Sequence, residues 1–372
     1  MKIEIYSPTI RRKEMDAVLT AMVEEKIGPG DRNRLLIQTA KEQLRFDYAL
    51  ALRSPAVALH VALKALNAQS GQAVILSALS PRYYLQVIND LQLVPLYCDV
   101  TYDFPCLSRE LIENTLAKKQ FDTAIDVCAI ILHHTLGFVP DTAAIAELGI
   151  PVIEDISQSY GSWLKPENKK DKQDAEEPAA AAGKNEKEEP QVKFDNVFCI
   201  IGLEERDMLT SGGGALLFAM NRKDGSALRS FSGIANEYCL PDINSALAVV
   251  QFKEVQRNTS RRRDIAQMYS QASLSLTSRT KHKRFIAIND NEYCNYSFSL
   301  ILETGLKDVV AYAKKKEIEI ETAFEKTIAG SGLCSDCPVS NSLALRTILL
   351  PMYPMLRSAD VERISRLITT LP

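Results

Sequence analysis

The feature that most constrains this chain is an alternation, repeated from residue 48 to residue 153, of short apolar runs with amphipathic stretches. Tyr48-Ala49-Leu50-Ala51-Leu52 is apolar throughout rather than at every second residue, so it reads as a strand buried on both faces. Residues 56–66 follow with apolar side chains at helical spacing. The cycle recurs with Val74-Ile75-Leu76 before 83–91, then 93–97 before 107–117, then 123–132 before 142–148, and ends at Val152-Ile153. Strands separated by helices need crossover connections. These are right-handed and produce a mostly parallel sheet with helices on both faces. Ligands of such sheets sit at the carboxyl ends of the strands, so the residues just after each strand are the first candidates for chemistry.

The alternation breaks at about 165–192, where Lys, Glu and Asp surround Ala179-Ala180-Ala181-Ala182 without a large apolar residue. Such a stretch cannot offset the entropy of ordering and is expected to be a mobile, solvated insertion. Val197-Phe198-Cys199-Ile200-Ile201 resumes as a strand, and Gly212-Gly213-Gly214 leads into Ala215-Leu216-Leu217-Phe218. From about Asp242 the pattern turns to long helices, one through 260–272, with a strand-like 296–302 and a closing helix over 358–369 that starts at Ser358-Ala359-Asp360. A chain of 372 residues exceeds one small core. The expected division is a large α/β domain over 1–250 and a smaller α+β domain over 251–372.

Charge and cysteine usage narrow the function. A net charge of −3 supplies no field for polyanions, and Arg261-Arg262-Arg263, in a helical stretch, reads as a solvated face. Neither nucleic acid nor membrane is therefore expected as a partner. Met1-Lys2-Ile3-Glu4 lacks the apolar run of a signal peptide and no stretch has the length of a membrane span, so a cytoplasmic location is expected. The eight cysteines are scattered, as befits reduced thiols. Cys334-Ser335-Asp336-Cys337 has metal or redox spacing but no second pair or nearby histidines, and reads as a loop.

Several segments then fall into a familiar order. They are Gly71 with Val74-Ile75-Leu76, Pro95-Leu96-Tyr97-Cys98-Asp99-Val100, and His134-Thr135-Leu136-Gly137 with Pro140-Asp141. Pro151-Val152-Ile153-Glu154-Asp155-Ile156-Ser157-Gln158-Ser159-Tyr160-Gly161 follows, then Arg263-Asp264-Ile265-Ala266 with Tyr269, and Leu349-Leu350-Pro351-Met352-Tyr353-Pro354. From Pro8 to Ile368 this set resembles the DegT/StrS family of sugar aminotransferases. The resemblance implies a fold-type-I pyridoxal 5'-phosphate (PLP) transferase fold and a homodimer. It also implies transfer of an amino group from an amino-acid donor to a keto nucleotide sugar, for polysaccharide or amino-sugar biosynthesis. By the same resemblance Asp155 would hold the pyridine nitrogen, keeping the ring an electron sink, and Gln158 would lie near the ring oxygen. Taken alone, an Asp after a strand is more often a turn former.

Other positions depart from the family pattern. The phosphate turn, Ser-Gly-Thr in the family, reads Ser54-Pro55-Ala56 here, which removes an N–H donor and a hydroxyl. The ring-stacking position falls at Pro81, with Tyr83 and Tyr84 as nearby substitutes, and Cys199 is a further candidate on the strand entering the lysine segment. The Schiff-base lysine column falls at Glu204, Glu205 or Arg206, and no lysine occurs between Lys193 and Lys223. Arginine is a poor substitute because its guanidinium stays protonated. The Asn offered across the dimer corresponds to Glu237, with Asn236 beside it. Three readings stand: an aminotransferase completed by a distant lysine, a non-catalytic pseudoenzyme acting as a dimeric binding or scaffold protein, and a sugar-modifying protein that binds PLP or its aminated form non-covalently. The departures all concern the cofactor, which favours loss of catalysis.

Overall fold

The computed structural model describes residues 2–120, 126–162, 197–287, 293–303 and 305–372. The charged stretch expected over 165–192 lies outside them. Two helices, α1 (Arg12–Val23) and α2 (Asp31–Leu44), precede the alternating part. That part runs β1 (Tyr48–Leu52), α3 (Pro55–Ala65), β2 (Ala73–Ser77), α4 (Tyr83–Asp90), β3 (Val94–Cys98), α5 (Arg109–Gln120), β4 (Val127–His133), α6 (Thr142–Ala146), β5 (Val152–Asp155), β6 (Val197–Gly202) and β7 (Ala215–Ala219). The seven strands form one sheet in the order β1-β7-β6-β5-β4-β2-β3. β3, β2, β4, β5 and β6 run parallel, with α4, α5 and α6 in the crossovers from β2 to β5, while β7 runs antiparallel to both β6 and β1.

Both faces of this sheet are covered, which is why its strands are apolar without alternation. Leu50, Leu52, Ile153, Ile200 and Leu217 pack on one side with Leu59 and Leu63 of α3 and Tyr84 of α4. Ala49, Ala51, Val152, Ile201 and Leu216 pack on the other with Leu36 and Ala40 of α2 and with Ala248 and Phe252. The last two belong to a helix far longer than the expected 260–272.

After α7 (Arg222–Arg229), α8 (Asp242–Arg279) runs for 38 residues and passes unbroken through position 250, the expected end of the large domain. Its first half lies on α1 and α2, and its second half contributes Ile265, Tyr269 and Leu276 to a separate core. That core holds a three-stranded antiparallel sheet, β8 (Phe298–Ile301), β9 (Glu321–Thr322) and β10 (Thr347–Leu350), in the order β8-β10-β9. α9 (Leu306–Lys315), α10 (Pro338–Arg346) and α11 (Ser358–Thr370) complete the α+β part.

The arginine run needs a correction. Arg262 lies on the inner stripe of α8 with Ile265, Ala266 and Tyr269, and is buried rather than solvated. Its guanidinium donates at 2.8 Å to the carbonyls of Tyr296 and Met352, tying α8 to the start of the smaller sheet. Among the described residues no helix is long and apolar enough to cross a membrane.

Candidate active site

The candidate site grows from the end of β5. β4 and β5 pair in parallel with His133 opposite Asp155, so these two side chains reach the same carboxyl edge of the sheet together. Asp155 is 2% exposed. Its Oδ1 accepts from the backbone N–H of Ser157 at 3.0 Å and from the Ser157 hydroxyl, and its Oδ2 accepts from the Tyr84 hydroxyl. His133 Nδ1 stands 3.6 Å from Oδ2. Burial alone would raise this carboxyl, but His133, Ser157 and Tyr84 outweigh burial and hold it down to about 2. A carboxylate offers about four lone-pair positions. The chain itself supplies a partner for nearly all of them.

Tyr84 arrives from the first turn of α4. Its ring is packed edge-on against Tyr83 at 4.8 Å and against His133 at 6.1 Å. Burial first, and then Asp155, pushes its phenol well above the usual tyrosine range, so it remains a donor at neutral pH.

A second carboxyl stands in the site that the sequence did not mark out. Asp207 belongs to the loop over 203–214 between β6 and β7, and its Oδ2 accepts from the backbone N–H of Glu204 at 2.9 Å. Gly202 makes room for it: a Cβ there would collide with the Asp207 carboxyl and lie 2.8 Å from Ser157 Oγ. Burial and then the neighbouring Asp155 push Asp207 up to about 8. The two carboxyls thus differ in charge at neutral pH, Asp155 ionised and Asp207 protonated. An acid in a loop carries no distinguishing signal in one sequence. Its only clue was its place just after the lysine column.

The three residues at that column take different directions. Glu204 and Glu205 are exposed. Arg206 turns to the smaller sheet, donating from Nη1 to Glu321 Oε1 at 2.5 Å, with its guanidinium 5.6 Å from the Tyr6 ring centre. The loop is drawn tight because Leu203 O accepts from the N–H groups of Ser211 and Gly213. Gly214, at φ +124°, packs so closely on Leu240 that a side chain would overlap it.

The remaining candidates are less concentrated. Gln158 Oε1 accepts from the backbone N–H of Leu136 at 2.7 Å, and so ties down a residue held at φ +56°. Ser54 caps α3, its Oγ accepting from Val57 N–H at 3.2 Å. Of the first three residues of α3, Pro55 has no N–H, Ala56 has no hydroxyl, and the N–H of Val57 is already used by Ser54. Pro81 forms a bridge with Thr327, and beside it Arg82 N–H donates to Lys326 O. Asn236 and Glu237 lie in a short exposed turn whose Tyr238 carbonyl accepts from Arg53 N–H, next to the Ser54 turn.

Cys199 requires a correction as a cofactor-site candidate. It pairs with Glu154 across β5 and β6, one residue out of step with Asp155, so strand alternation sends it to the opposite face of the sheet. There its thiol lies 3.7 Å from Glu154 Oε2 and is pushed well up by burial. That face also carries a serine–histidine–carboxylate string. His134 Nδ1 is 2.6 Å from Ser159 Oγ and Nε2 is 2.9 Å from Glu154 Oε1, which also accepts from Thr142. Ser159 and His134 are buried, and the string clamps the ends of β4 and β5 together. Among the described residues no group of His, Cys, Asp and Glu is arranged to hold a metal.

PLP asks three things of a site: an acceptor for its ring N–H, an amine for its aldehyde, and donors for its phosphate. Here the acceptor is occupied by Tyr84 and Ser157, the loop over 203–214 holds no lysine, and the start of α3 is short of donors. The residues present do not fit PLP in the manner that the resemblance implies.

Nearly the whole chain nonetheless superposes on solved aminotransferases. An aminotransferase TlmJ from Streptoalloteichus hindustanus is 16% identical with a TM-score of 0.79, covering 99% of this chain and 98% of that one. A DegT DnrJ EryC1 StrS aminotransferase from Brucella abortus is 20% identical with a TM-score of 0.77, covering 96% and 94%. The sugar aminotransferase CalS13 from Micromonospora echinospora is 14% identical with a TM-score of 0.79, covering 98% and 99%. At these identities the likeness shows a shared fold. The model of the DegT/DnrJ/EryC1/StrS aminotransferase family matches residues 8–173 and 215–369, leaving unmatched the interval that contains the loop over 203–214. With most of its length matched by that model, the chain belongs to the DegT/DnrJ/EryC1/StrS aminotransferase family.

Proposed function

We propose that this protein keeps the scaffold of a sugar aminotransferase, has lost PLP-dependent transamination, and acts as a homodimeric binding or scaffold protein. The observation that carries the proposal is the site at the end of β5, where Tyr84 and Ser157 bond Asp155 and the lysine column offers Glu204, Glu205 and Arg206. Two exposed glutamates also make the loop a poor neighbour for an anionic cofactor. Were the family reaction retained, a keto nucleotide sugar and an amino-acid donor would be the substrates, and a lysine from elsewhere would have to reach the site.

A second copy of the chain is the expected partner. Met15, Leu19 and Met22 are 51%, 55% and 52% exposed and recur at helical spacing along α1, with Ile10, Val23 and Ile27 exposed nearby. The opposite side of α1 lies against α8, so this apolar stripe is the free face of a fixed helix.

One experiment separates the readings. Purified protein is mixed with PLP, scanned for the visible absorbance of a lysine imine, reduced with borohydride and mapped by mass spectrometry. Absence of both the band and an adduct is the expected result. A reduced adduct on one specific lysine would restore the aminotransferase reading.

A further inference from the structure

We infer that Tyr84 is a built-in occupant of the Asp155 carboxylate, closing the end of β5 to any ligand that would enter as a ring N–H donor. The inference rests on the proposed loss of Schiff-base chemistry but concerns a different property, the non-covalent access of a ring to Asp155.

Three observations carry it. First, the acceptor capacity of Asp155 is nearly filled: Tyr84 holds Oδ2, the Ser157 hydroxyl and N–H hold Oδ1, and His133 Nδ1 stands 3.6 Å from Oδ2. An incoming N–H donor would compete with these, and Tyr84 is the one that comes from outside β4 and the β5 turn. Second, Tyr84 is not a mobile lid. Its side chain is 1% exposed and packed between Tyr83 and His133.

Third, the backbone that delivers Tyr84 is pinned. Tyr84 N–H bonds Pro81 O, while Ser80 O accepts from Ile328, Ala78 O from Ala329, and Arg82 N–H donates to Lys326 O. Together with the Pro81–Thr327 bridge, these bonds zip the turn before α4 to the segment over 326–329. Withdrawal of Tyr84 would require that zipper to open. A phenol thus stands against the carboxylate at the place where a protonated ring nitrogen would donate, and makes the same kind of charge-assisted bond.

Pyridoxamine 5'-phosphate is the appropriate probe, because it carries the ring and phosphate but needs no lysine. Calorimetric titration of the full-length wild type is expected to show no saturable binding up to about 1 mM. Tyr84→Ala is expected to bind at least about tenfold more tightly than that limit, and Tyr84→Ala/Asp155→Asn to lose the gain. Saturable wild-type binding abolished by Asp155→Asn would overturn the inference, as would a folded Tyr84→Ala protein that does not bind. Should Tyr84→Ala fail to fold, the wild type decides by proton NMR. A downfield phenolic proton that vanishes in Tyr84→Phe is expected, and its absence overturns the inference. The two proposals fail separately: a borohydride-fixed lysine adduct defeats the loss of Schiff-base chemistry, whereas wild-type binding at Asp155 without an adduct defeats only the closure.

Discussion

Asp155 and Asp207 meet beside Ser157 under opposite conditions. Asp155 has donors on both oxygens and is held down to about 2, so the stability it contributes is present above the usual carboxylate range and is lost as the pH falls through about 2. Asp207 is held up to about 8 by burial and by Asp155. Unfolded, it would ionise near pH 4, so folding takes up a proton across the interval from about 4 to about 8 and stability declines as the pH rises through it. Asp207→Asn is therefore expected to flatten the fall in Tm between pH 5 and 8 and to raise Tm at pH 8. An unchanged slope would mean that Asp207 is ionised in the folded protein. Tyr84→Phe removes one donor from a buried carboxylate and should cost roughly 1–3 kcal/mol in urea denaturation at pH 7. A Tyr84→Phe protein as stable as the wild type would show that the phenol–carboxylate bond contributes nothing. Asp155 was legible because it closes an apolar strand inside an extended motif. Cys199 was placed in the site because its chain position was right, but a strand reverses its side chains at each residue, and the register that decides the face is a pairing between β5 and β6.

The elements were legible where one segment determines its own burial. β1 to β7 read as apolar runs because both faces of the sheet are covered, and α11 begins where Ser358-Ala359-Asp360 suggested. What spacing could not reveal is support supplied from a distance. α2 begins after Gly30 with no side-chain cap of its own, and the missing acceptor is Asp242, in the first turn of α8. Its carboxylate accepts from the N–H groups of Gly30 at 2.9 Å, Arg32 at 3.1 Å and Asn33 at 2.9 Å. Asp242 is 1% exposed, so Asp242→Ala leaves those donors buried without an acceptor and should destabilise the protein by roughly 2–3 kcal/mol. Chemical denaturation would detect this. A loss below about 0.5 kcal/mol would mean that α2 relaxes to other partners. The same long-range dependence explains Arg262. Its neighbours in sequence look like a solvated basic face, yet the carbonyls of Tyr296 and Met352 await it across the junction.

For the whole molecule, the proposed scaffold role and the dimer make one joint prediction that chemistry at Asp155 does not enter. The chain carries a small net charge of −3, so long-range repulsion between copies is weak, and the largest exposed apolar run along one helix among the described residues is the Met15, Leu19 and Met22 stripe. α1 is held from behind by α8, through Lys13 Nζ to Glu254 Oε1 at 2.6 Å and Gln251 Nε2 to Glu14 Oε1 at 3.2 Å. A charge placed on the stripe should therefore perturb association without unfolding the helix. Sedimentation equilibrium is expected to give twice the chain mass for the wild type, with or without added PLP. Leu19→Arg should weaken self-association by more than about tenfold while leaving Tm within a few degrees. Asp155→Asn, by contrast, should lower Tm and leave the dimer intact at temperatures where the chain is folded. A wild type that sediments as a monomer, or a Leu19→Arg dimer of undiminished affinity, would remove α1 as the joining surface. If dimerisation instead required PLP, the cofactor would still be part of the assembled protein, and the scaffold proposal would give way to a PLP-binding reading, with the lysine adduct deciding between covalent and non-covalent use.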